Sequence, residues 1–171
     1  MSATEYNHEQ YMEAVATNLK AINHSADHPR FFISVGLASM DGLLNSLTRA
    51  DYPCLVAEKG PDKRLIDNLS DNRMYQPFFT SFILLKTEPG NDQSVRQARD
   101  SAEEIAEKVV GKMLHDSVHN ANGLALLDEA SIRISGVGPL GDAAHGVMLS
   151  FTIRQPVKFY YDTDDWHQPG S

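Results

Sequence analysis

The chain has 171 residues, enough for one domain around a single sizeable core. Hydrophobic residues make up 42% and charged residues 22%, a balance that excludes a disordered chain. Fifteen basic against 23 acidic residues leave a formal charge of -8, which argues against a free-standing nucleic-acid binder but suits a surface that DNA slides past without sticking.

The lone cysteine, Cys54, leaves no intramolecular disulfide and no cysteine-based zinc cluster. Its neighbours Tyr52, Pro53, Leu55 and Val56 predict a buried, inert thiol and a reducing compartment. The first residues show no basic stretch leading into an apolar run, and no window reaches the ~20 apolar residues of a membrane-spanning helix. A soluble protein made inside the cell is expected.

Residues 4 to about 24 read as a helix, with Tyr11 or Met12, Val15, Leu19 and Ile22 on one face and Thr4, Asn7 and Glu9 offering capping chemistry. Pro29 disfavours helix at His28. Phe31 to Val35 fits a short strand or the start of a helix; Leu37, Met40, Leu43, Leu44 and Leu47 fit a short helix interrupted at Gly42. "YPCLVAEKG" reads as a strand with Pro53 confined to its start, and "PDKRLIDNLSDN" as a connecting loop with one helical turn around Leu65 to Leu69. "MYQPFFTSFILLKT" is rich in aromatic and aliphatic residues and predicts a strand.

Pro89-Gly90 then breaks the chain, and Asn91, Asp92 or Ser94 can cap the helix that follows. Val95, Ala98, Ala102, Ile105, Val109 and Met113 form its apolar stripe, opposite Arg96, Arg99, Asp100, Glu103, Glu104, Glu107 and Lys108. This helix should end by Asn120 to Gly123. Ile132 and Ile134, then Val147, Leu149, Phe151 and Ile153, alternate with Arg133, Ser135, Met148, Ser150, Thr152 and Arg154, predicting two antiparallel strands. The connector "GVGPLGDAAHG" is long enough to project beyond the sheet as a flexible tip. The order predicts a single α+β domain over residues 1–161, a mostly antiparallel sheet packed against an N-terminal helix and one long amphipathic helix. Residues 162–171 are an acidic C-terminal tail.

Candidate chemistry is sparse. His115 and His119 lie four apart and can face one metal ion, yet Asp116, Ser117 and Val118 between them lack the glutamate of a His-Glu-x-x-His protease. Histidines at a helix C-terminus are favoured by the dipole alone. His24 and His28 share the spacing without a continuous helix. Gly136, Gly138 and Gly141 precede another strand, not the helix a phosphate loop requires. Glu103 and Glu104 sit on a solvated face, and Asp162, Asp164 and Asp165 lack the glycine and distal glutamate of a calcium loop. Trp166 needs a surface to bury it, on this chain or on a neighbour. No catalytic, cofactor-binding or metal-ligating residue is assigned, and a non-enzymatic role is expected. The alternatives are a small metal-dependent hydrolase using His115, His119 and an acidic residue, or a small-ligand binding module.

A helix, then "DYPCLVAEKG", "MYQPFFTSFILLKT", the helix "QARDSAEEIAEKVVGKMLHD" and a final "GVMLSFTIRQPVKF" follow one another in this chain. In that order the sequence resembles the tail-terminator (tail-completion) and neck proteins of tailed phages, prophages and contractile particles, over roughly residues 5 to 159. The resemblance implies a virion protein assembled in the host cytoplasm. It implies a homo-oligomeric ring, typically hexameric, that caps the tail tube and docks the head-side connector, with no enzyme activity, no sequence-specific nucleic-acid binding and no membrane. The segment 31–50 is longer and more apolar than a simple helix-strand connection requires, and the tail from Asp162 has no counterpart in that pattern. The outward strand residues Arg133, Ser135, Ser150, Thr152 and Arg154 would line a channel or a subunit contact, with the 136–146 connector reaching a neighbour.

Overall fold

The computed structural model describes residues 5–35, 47–67, 73–141 and 143–157. Helix α1 spans His8–Asn18, and the Asn7 side chain caps it by accepting from the Gln10 N–H at 3.1 Å. Tyr11, Met12, Val15 and Ala16 are its buried face. The helix is shorter than the expected 4-to-24 span. Leu19 turns extended, and the chain reverses through Asn23 at a positive φ of 54, which drops Ile22 fully into the core.

Strand β1 (Phe31–Ser34) settles the open choice at Phe31 to Val35, and pairs in parallel with β2 (Cys54–Glu58). Both strands serve two faces. Phe31, Leu55 and Ala57 join the main core, whereas Phe32, Cys54 and Val56 join a smaller cluster with Leu47, Leu84 and Ala144. Strand β4 (Arg73–Lys86) is the spine of the sheet. Its second half lies between β2 and β6 (Ala144–Ile153); its first half pairs with β3 (Asp62–Asp67) and with β7 (Gln155–Pro156).

Strand β3 corrects the loop and helical turn expected around Leu65; positions 68 and 69 of that turn lie outside the described residues. The segment is polar because it is an edge strand, and Lys63 and Arg64 on such an edge discourage stray pairing.

Helix α2 spans Asp92–Val118, and the Asn91 carboxamide accepts from the N–H groups of Gln93 and Ser94, both at 3.1 Å. Ala98, Ala102, Ile105, Ala106, Val109, Met113 and Asp116 are its buried stripe, laid against β4, β6 and a further strand, β5 (Leu127–Leu140). Strand β5 (Leu127–Leu140) completes a seven-stranded sheet of order β1-β2-β4-β6-β5. Only the β1–β2 pair is parallel, so the molecule is α+β with two helices among the described residues.

The β5–β6 connector does not project. Residues up to Leu140 stay in the ladder opposite Ala144 to Val147, leaving a short turn. The register slips between Asp128 and Arg133, and Ser131 mends the gap: its hydroxyl accepts from the Thr152 N–H at 2.8 Å and donates to the Asp128 carbonyl at 2.6 Å. Residues 36–46 and 158–171 lie outside the described residues, and with them Leu37, Met40, Leu43 and Leu44 of the helix expected through Leu47, the acidic tail and Trp166; Leu47 itself is buried.

Candidate functional site

The most reactive-looking constellation was invisible in the sequence. Tyr6 and His8 leave the N-terminal segment and meet Ser81 on β4, all three buried. The His8 Nε2 lies 3.0 Å from the Thr80 carbonyl and 3.1 Å from the Ser81 hydroxyl, while Tyr6 O–H reaches His8 Nδ1 at 3.0 Å. A carbonyl only accepts, so Nε2 carries the proton and Nδ1 takes the Tyr6 hydrogen bond. The imidazole lone pair therefore points at a tyrosine, not at Ser81, and the serine gains no base. Burial pushes His8 down to about 4, only partly opposed by the Thr80 hydrogen bond, and lifts Tyr6 well above the usual phenol range. This is a neutral latch tying the N-terminal segment to the sheet, packed on Phe79 and Phe151.

A second hub centres on Asp116, 2% exposed near the end of α2. Tyr11 O–H donates to it from α1 at 3.1 Å, Asn122 Nδ2 donates from the following loop at 3.0 Å, and Lys112 closes an ion pair one turn back. Burial alone would raise this carboxyl; the hydrogen bonds from Lys112, Asn122, His115 and Tyr11 outweigh it and hold Asp116 at about 2. Tyr11 is pushed above its ordinary range by burial and by the Asp116 charge. Beside the hub, α1 and α2 flank an open groove of about 540 Å3, lined by Tyr11, Ala14, Val15, Leu19, Val109 and the Lys108 and Lys112 stems among others.

The sequence candidates are scattered. His115 and His119 stack at the exposed end of α2, ring centroids 4.2 Å apart. The acidic residue beside them, Asp116, is already occupied by its four donors. Among the described residues no three His, Cys, Asp or Glu side chains gather into a metal-binding group. His24 accepts from the Arg30 N–H at 3.0 Å, whereas His28 sits 2.9 Å from Asp51, so these two serve different turns. Cys54 is fully buried and its thiol is pushed up to about 12 by that burial. Glu103 and Glu104 lie exposed on α2, and Gly136 and Gly138 sit within β5.

What the fold leaves open is the margin of the sheet. Strand β5 ends the strand order with 14 residues, and among the described residues β6 is its one strand partner. Arg133 and Ser135 are exposed on it, as is Arg154 nearby. Ser150 corrects the expected polar outer row: it is 2% exposed, and Thr152 is half-buried, accepting from Gln76 Nε2 at 3.1 Å. At the other end, the β3–β4 hairpin carries Leu65 and Phe78, 50% and 44% exposed on opposite faces. No helix among the described residues is long and apolar enough to cross a membrane. No protein-family model matches the chain, and no curated protein matches it.

Proposed function

We propose that this chain is a structural subunit that assembles through the margin of its sheet, in the manner of the tail-terminator and neck proteins that its sequence resembles. The reading is carried by one observation: a 14-residue terminal strand with an unpaired edge among the described residues. The stretch of that edge around Arg133 to Val137, between the two register shifts, is a template for another strand. The groups that look reactive are spent inside the fold, His8 and Ser81 as a latch and Asp116 as a hub. In this reading copies associate into a ring that caps a tail tube and docks the head-side connector, each contact burying at least ~1,000 Å2. The charge of -8 suits a lumen that DNA crosses without being retained.

Sedimentation of the purified chain tests the reading. Association, by the chain alone or on added tail-tube protein, should occur in the native protein and be lost in Ser135→Lys, which sets two cations, Lys and Arg133, on one face of the edge. Equal association of both proteins removes β5 from the interface. The α1–α2 groove favours a second reading, a small-ligand module for an apolar molecule with an anionic end near Lys108. A short-chain fatty acid that shifts Val15 and Val109 methyl resonances would support it.

A further inference from the structure

The sequence beyond β7 holds the chain's one tryptophan, Trp166, with Phe159, Tyr160, Tyr161 and three aspartates, and the assembly reading gives this segment no task. Strand β7 is the last described element, and its Gln155 lines a cavity of about 490 Å3 that also takes in Glu9, Glu58 and Lys63. That cavity and the α1–α2 groove share Glu5, Asn7 and Gln10. One trough therefore leads from the end of the sheet to the groove.

Charge runs in the same order along both partners. Lys158 comes first in the chain, and Glu5, Glu9 and Glu58 line the first cavity. Asp162, Asp164, Asp165 and Trp166 come later, and the groove beyond is largely apolar with Lys108 and Lys112 along α2. Lys112 is paired with Asp116, but Lys108 has no ion-pair partner among the described residues. Reach is sufficient. Extended chain from Gln155 to Trp166 covers up to about 36 Å, roughly twice the about 16 Å length of α1. An indole left in water forfeits the burial of a large apolar surface. From this we propose that the segment Asp162 to Trp166 turns back along α1 and closes the groove, its indole on Val15, Leu19 and Val109 and its aspartates toward Lys108. The occupant is the chain's own tail and not a free apolar molecule, and the inference stands apart from the assembly reading.

Trp166 is its own probe, since no other tryptophan contributes to the fluorescence of the full chain. Its emission should be blue-shifted and resist quenching by acrylamide. Ala14→Glu and Lys108→Glu each place a carboxylate on the groove wall, and both positions are exposed, so neither change threatens the fold. Each should shift the emission to the red and make quenching several-fold more efficient, because the added charge repels the aspartates. In the full chain Trp166→Ala should move the methyl resonances of Val15 and Val109 and leave Val56, in the cluster on the other face of the sheet, in place. The emission of a water-exposed indole in the native chain overturns the proposal, as does a buried emission that both variants leave unchanged. Emission that turns red on dilution also overturns it, because the tail then lies on a neighbouring copy. So does a fatty acid that moves the Val15 methyls while the Trp166 emission stays fixed.

Discussion

At the scale of single residues, His8 and Asp116 both cost the molecule stability as pH falls, in two successive windows. His8 is held near 4 by burial, against an ordinary value of 6.5. The unfolded chain therefore takes up this proton below about pH 6.5 while the native chain refuses it until about pH 4, and stability falls across that window as pH drops. The loss amounts to a few kcal/mol at most, at 1.36 kcal/mol per unit. Urea unfolding of His8→Gln should lose that slope between pH 6.5 and 4; an unchanged slope would mean that His8 is not the neutral latch. Asp116, held down at about 2 from 3.8, stabilises the fold above pH 3.8, and that share is lost as pH falls toward 2. Asp116→Asn weakens the hydrogen bonds from Tyr11 and Asn122 and frees a half-exposed Lys112 to solvent, at a cost of about 1–3 kcal/mol at neutral pH. Gly123 is a third single-residue constraint. Its φ is +78, and an added Cβ would lie 2.4 Å from the Tyr6 backbone nitrogen, so Gly123→Ala should cost more than the ~1–2 kcal/mol of left-handed strain alone. None of these roles was legible in the sequence. His8 meets Ser81 across 73 positions and Tyr11 meets Asp116 across 105, distances over which no local pattern speaks.

At the scale of elements, legibility followed how far each segment's pattern depended on its own neighbours. The α2 stripe and the alternation in β6 are set by period alone, and both elements lie where the sequence put them. Strand β3 was missed because an edge strand beside a hairpin partner needs little apolar character, and its six residues are held by β4 and not by a core of their own. The overlong reading of α1 has a similar cause: Leu19 and Ile22 are core residues at helical spacing, but Ile22 reaches the core from a turn. The glycine-rich connector reads as a loop and yet is largely paired, with a register shift between Val137 and Leu140, and Gly146 lets β6 pass close to Ile83 on β4. Gly111 is the contrary case. It sits in exposed α2 with open space where a Cβ would go, so Gly111→Ala should raise stability by up to ~1 kcal/mol through helix propensity. A thermal melt with no gain would contradict this.

At the scale of the whole molecule, the two helices cover one face of the sheet, a small cluster around Leu47, Cys54 and Ala144 covers part of the other, and the terminal strand β5 is left with a free edge among the described residues. The charge of -8 and the structural duties of His8, Ser81 and Asp116 fit the proposal of a chain that builds a surface. The fold class was readable from the order of periodic segments, whereas the open margin that carries the functional reading required the strand order, which no local period specifies. The central claim is that this edge joins one copy to the next. Native mass spectrometry of the chain, alone and with the tail-tube protein that the proposed reading calls for, tests it most directly. A closed oligomer, either alone or nucleated on the tube, is the predicted result; a monomer under both conditions, with no tube bound, would contradict it.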